Sequence, residues 1–132
     1  GIIKIRDNLA ALMAENGRFG SMAIVFAHRT TALAGGDKQF EALLLGHLMA
    51  HEVGHLLLGV GSHTAAGLMH VPWDCKELVN VSRGALHFMS WEGDKIRRHV
   101  AARVREQRTL DDYARTNIDF RAGAGGLHST EN

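Results

Sequence analysis

The chain has 132 residues, 45% of them hydrophobic, which suits one globular domain with a modest core. Its formal net charge is +1 and no long block of one sign occurs, which argues against nucleic-acid binding as its main business. A single cysteine, Cys75, excludes an internal disulfide framework, and no apolar run approaches the roughly 18 residues that a membrane-spanning helix needs.

The first residues, Gly1-Ile2-Ile3-Lys4-Ile5-Arg6, show no charged-then-apolar signal pattern and no initiator methionine, as a processed form or a fragment would. Ile2, Ile5, Leu9, Leu12 and Met13 recur at helical intervals before Asn16-Gly17, predicting an amphipathic helix over 2–16. The β-branched and aromatic run Met22-Ala23-Ile24-Val25-Phe26-Ala27-His28 predicts a buried strand. Thr30-Thr31-Ala32-Leu33-Ala34 permits a short helix, and Gly35-Gly36-Asp37 breaks it. Asp37 is placed to cap a long helix that runs to about Leu58. Gly46 and Gly54 lie inside that helix, where each costs roughly 1 kcal/mol against alanine. Such a cost is tolerable where a neighbour must come close.

The long helix carries His51-Glu52-Val53-Gly54-His55. Positions four apart stack on one helix face, so the two imidazoles project side by side, as two ligands of one metal must. Glu52 flanks the pair, where a carboxylate can reach a metal-bound water without ligating the metal. With nine histidines in the chain, chance accounts for such a match in about a few per cent of similar compositions. Leu44, Leu45, Leu48, Met49, Val53, Leu56 and Leu57 make the helix apolar. Two imidazoles and a carboxylate inside that body are costly to desolvate unless a partner meets them, and a metal is such a partner. Gly59 can stop the helix and Gly61 can turn the chain back, bringing His63 round as a third nitrogen. A catalytic zinc usually has three protein ligands and one open position.

This stretch resembles the active site of the metzincin clan of zinc peptidases, His-Glu-x-x-His-x-x-Gly-x-x-His followed by a methionine turn. Gly67-Leu68-Met69 is similar to that turn, in which methionine forms an apolar floor under the metal. A group of bacterial proteins with His-Glu-x-Gly-His-Leu-Leu-Leu-Gly, Ser-His and Gly-x-Met is also similar. The match covers about 20 residues, judged on the motif alone. Two intervals differ: Gly59 follows His55 by four residues and His63 follows Gly59 by four, where the clan has three. The resemblance implies a zinc-dependent endopeptidase, with metal ligands His51, His55 and His63, Glu52 as general base, Zn2+ as cofactor and a peptide or protein substrate. A metal-binding module that has lost catalysis is the alternative. The compartment is left open, export being compatible with the resemblance.

Asp74 and Glu77 are the other candidate third ligands. Both also fit a helix start, with Asp74 as N-cap and Glu77 at the capping-box position. His47, one turn before His51, reads better as a packing or supporting residue, since a fourth histidine closes the open position. His70 reads as a loop histidine, or more sharply as a donor to bound substrate. Trp73 lines a specificity pocket or belongs to the core. The helix begun by Asp74 ends near Arg83-Gly84, and Leu86-His87-Phe88-Met89 is a short extended piece. Ser90 is placed to cap a third helix through about Gln107, with Trp91, Ile96, Val100 and Val104 at helical intervals. Arg97, Arg98, Arg103, Arg105 and Arg108 on it read as a solvated face. From Asp111 the chain turns polar. The expected architecture is therefore α+β and α-rich: a single zincin-like catalytic domain over 1–110 with a long active-site helix, a reduced sheet and C-terminal helices, then a flexible polar tail over 111–132.

Overall fold

The computed structural model describes residues 23–59 and 61–124. They form four helices: α1 (Ala27–Ala34), α2 (Lys38–Leu58), α3 (Cys75–Ser82) and α4 (Ser90–Ala124). The chain divides into two compact units, Gly1–Arg97 and Arg98–Asn132. The helix expected over 2–16 lies outside the described residues.

No strand occurs among the described residues; a single isolated bridge joins Thr64 to His70. The expected α+β architecture is thereby corrected to a mainly helical fold, since a zincin-like core needs a sheet. The strand expected over 22–28 fails for a local reason. Residues 23–26 are irregular, and Ala27 and His28 already belong to α1. That leaves Ile24, Val25 and Phe26 as the β-favouring run, too short to stand without a pairing partner. Thr30, read as part of a short helix, is buried in α1 and its hydroxyl donates to Ala27 O at 2.6 Å. Gly35, at φ +59° and ψ +26°, ends α1 in the left-handed conformation.

The long helix forms as expected. Asp37 caps α2 by accepting from Phe40 N at 3.0 Å. Gly59 ends it at φ +98° and ψ 173° rather than in the left-handed helical region; only glycine adopts this extended, positive-φ conformation readily. Leu44 and Leu58 are buried on α2. Leu44 meets Leu68, Trp73, Val81 and Leu86 in the core, with Leu33, Phe40, Leu43, Leu48 and Phe88 packed around them. Each large buried side chain here contributes about 1.5–3 kcal/mol.

Asp74 and Glu77 form the expected capping box of α3, the Asp74 carboxylate accepting from Lys76 N at 2.7 Å and Glu77 from Asp74 N at 3.1 Å. The 85–89 segment has no regular secondary structure; it brings Leu86 into the core, with Phe88 packed against it. At the start of α4, Ser90 is already helical, and the Glu92 carboxylate reaches back to Met89 N at 2.7 Å. The cap position thus falls on Met89, one residue earlier than expected, with glutamate as the capping side chain.

α4 does not stop near Gln107 but continues to Ala124. Residues 94–122 contain neither glycine nor proline, so nothing breaks the helix. Polar side chains that read as a tail instead bond along it: Gln107 Nε2 donates to Asp111 Oδ1 at 2.9 Å, and Thr116 Oγ1 to Asp112 O at 2.9 Å. The side chains of residues 104–118 are exposed, the Arg105 and Arg108 positions included. None of the described helices is long and apolar enough to cross a membrane.

Candidate metal centre

His51 and His55 stand on one face of α2, their rings 4.7 Å apart and nearly perpendicular. After Gly59 and Gly61 the chain returns, and His63 joins them. His55 Nε2 lies 3.1 Å from His51 Nε2 and 3.1 Å from His63 Nε2. All three donor atoms fall within 4.8 Å of one another. Three nitrogens held tetrahedrally at about 2.0–2.1 Å from a zinc-sized ion are about 3.3 Å apart, so the spacing suits a shared cation.

The outer nitrogens decide which inner nitrogens carry lone pairs. His51 Nδ1 donates to Leu68 O at 2.7 Å; a carbonyl only accepts, so the proton sits on Nδ1 and the lone pair on Nε2. His55 Nδ1 lies 3.0 Å from Ser62 Oγ, which can hold the same tautomer. A proton can bridge one pair of these Nε2 atoms, whereas a cation meets all three. Tying the far nitrogen of each ligand is how proteins orient metal-binding imidazoles. The cluster also opens outward: His51 is 2% exposed, His55 half-buried and His63 exposed.

The Gly67–Met69 turn supplies the Leu68 carbonyl and is itself firmly placed. Gly67 has φ +82°, and a Cβ there would lie 3.0 Å from His87 O. Leu68 N donates to His87 O at 2.8 Å, and Thr64 N to Met69 O at 3.1 Å. Met69 is fully buried and presses on α2 at Gly54, where a Cβ would collide with its Sδ and sit 2.9 Å from Phe88 Cε1. Gly54 is thus absent a side chain for the reason its cost suggested: the turn needs that space.

The other candidates have different tasks. The Asp74 and Glu77 carboxylates are engaged at the start of α3, so the loop histidine, His63, is the side chain brought to the pair. Asp74 is held below the ordinary carboxylate range by its hydrogen bond with the Glu77 side chain, then by the Lys76 N–H. His47 bonds its own helix through Nδ1 to Leu43 O at 2.7 Å. It lines an open groove of about 530 Å³ with Leu43, Gly46, Ala50, Leu68 and Leu86. His70 Nδ1 donates to Thr64 O at 3.1 Å and so secures the loop. Trp73 is a core residue, 1% exposed, its ring edge-on to His51 at 5.8 Å. Glu52 is buried on α2 beside His51.

Three supporting groups were not visible beforehand: Ser62, the Leu68 carbonyl, and the buried Glu92 carboxylate, which binds the Thr64 hydroxyl at 3.0 Å. Ser62 was detectable in principle, as a hydroxyl beside the candidate ligand. A main-chain acceptor leaves no mark in sequence. No protein-family model, curated protein or solved structure matches the chain.

Proposed function

We propose that this protein is a zinc-dependent peptidase in which His51, His55 and His63 hold the metal and Glu52 is the general base. The observation that carries this reading is the convergence of three Nε2 atoms while the far nitrogens of the two helix-borne rings are tied to Leu68 O and Ser62 Oγ. Three neutral imidazoles suit zinc among the common divalent ions, and they leave one position open. When bound, zinc supplies Lewis acidity that makes water a nucleophile near neutral pH and polarises a peptide carbonyl. Glu52 takes the proton of the attacking water on its carboxylate and returns it to the leaving amine. His51 keeps its orientation through the Leu68 carbonyl. The likeness to the metzincin motif supports the assignment at the level of this loop and helix, not of the whole fold.

A second reading is a metal-binding module without hydrolysis. The helical character of the described residues favours it: among them no sheet edge is present to pair with an extended substrate. Zinc content by elemental analysis, together with cleavage of a quenched peptide library with and without chelator, separates the two. Cleavage that chelator and Glu52→Ala both abolish supports the peptidase. One zinc per chain with no cleavage supports the module. Protein that takes up no zinc refutes both.

A further inference from the structure

The structure assigns Glu92 a role that its position in sequence, 29 residues beyond His63, does not suggest: it is the positioning residue that sets the third imidazole. Glu92 is fully buried. Its Oε2 accepts from Met89 N at 2.7 Å, which fastens it to the start of α4, and its Oε1 accepts from Thr64 Oγ1 at 3.0 Å. Thr64 is the residue directly after His63. The same hydroxyl also has Ala66 O within 3.0 Å, and Thr64 N donates to Met69 O at 3.1 Å.

His63 stands on a loop, whereas its two partners stand on α2. His51 and His55 are held by a helix, and their outer nitrogens are tied. His63 is exposed and follows Gly61, whose φ of +69° marks a turn with little steric restraint. The Thr64 bond to a carboxylate anchored on another element constrains the residue next to His63, and a charged acceptor makes that bond stronger than a neutral one. Burial of Glu92 excludes competing water. The 85–89 segment joins in through His87 O and Leu68 N, so one anchorage serves both the His63 loop and the turn behind His51.

This inference rests on the metal-centre reading for its function but not for its geometry, and both can be measured. The probe is cobalt(II) alone, followed by its absorption spectrum and by competition with a chelator, on the full chain. Supporting residues around metal ligands typically change affinity by about 10–100-fold. Thr64→Val keeps side-chain volume and removes the hydroxyl; it should weaken cobalt binding by about 10-fold or more and alter the spectrum. Glu92→Ala should do at least as much. Glu92→Gln should recover most of the affinity, because its carbonyl can accept from Met89 N while its amide donates to the Thr64 hydroxyl. Thr31→Val removes another hydroxyl–carboxylate bond, to Glu41 at 2.6 Å, and should leave cobalt binding unchanged.

Proton–proton contacts between the His63 and His55 rings, whose centroids are 4.8 Å apart, supply a metal-free reading by NMR. Contacts present in the parent and lost in Thr64→Val support the tether even in protein that binds no cobalt, an outcome that would sink the metal centre alone. Unchanged ring contacts and unchanged cobalt affinity in both Thr64→Val and Glu92→Ala would overturn it.

Discussion

The two sides of the histidine cluster are built on different principles. On the α2 side, position follows from helix pitch: His51 and His55 meet because they are four residues apart, and their outer nitrogens meet Leu68 O and Ser62 Oγ. On the loop side, position follows from tertiary bonds: His63 arrives through a glycine-containing turn and is exposed. In a site so divided, local structure places the first two candidate ligands, whereas the third depends on how the 85–92 region packs against the loop. Removing a helix ligand should therefore abolish binding, while disturbing the loop should grade it.

The largest effect expected is on His51→Ala, which removes the most buried ligand. Stoichiometric zinc should be lost in elemental analysis, and retained zinc at unchanged affinity would break the comparison outright. Next is Glu52→Gln. General acid–base catalysis is worth about 10²–10⁴-fold in rate, so cleavage should fall by that factor while zinc content is unchanged. Loss of zinc together with activity would instead make Glu52 a structural part of the helix side.

A pair of glycine variants sharpens the account of why α2 can approach the turn. Gly54→Ala drives a methyl into Met69 and Phe88. Overpacking of that kind costs about 1–3 kcal/mol, partly offset by helix propensity, so denaturant unfolding should show net destabilisation. Gly46→Ala meets nothing within 4 Å and should stabilise by up to about 1 kcal/mol. Equal effects at the two positions would mean that the turn does not depend on the bare helix face. On the loop side, Ser62→Ala should weaken metal binding by about 10-fold, less than loss of any ligand, because it frees only the outer nitrogen of His55.

The smallest effect concerns pH. Asp74 has a folded-state pKa below its ordinary value of 3.8, owing first to the Glu77 side chain and then to the Lys76 N–H. Its contribution to stability is therefore complete above that ordinary value and is lost as pH falls through the lower folded one. Asp74→Asn should flatten the acid limb of a stability-versus-pH curve slightly, leaving metal affinity at neutral pH unchanged. A fall in metal affinity would return Asp74 to the list of ligands.

What the sequence disclosed divides along the same line. Helix spacing, the Asp37 cap, the Asp74–Glu77 box and the stop at Gly59 are local, and each is legible because a few neighbouring residues decide it. For the third candidate ligand the spacing favours His63 over Asp74 and Glu77 but leaves the alternatives open, since loop closure depends on contacts far along the chain. The Thr64–Glu92 bond spans 28 residues and has no periodic signature. The strand expected over 22–28 is overridden because α1 already takes Ala27 and His28, and β-propensity is a weak guide without its tertiary context. α4 runs past Gln107 because polar residues alone do not end a helix and no breaker interrupts 94–122.

The acceptor that orients His51 belongs to the main chain at Leu68. No point replacement at that position deletes it, so this part of the site is heritable as shape and not as residue identity. A saturation screen for lost metal retention should accordingly be quiet toward apolar exchanges at 68 that keep the side-chain volume and loud at glycines 54 and 67, where the room for the bend is kept.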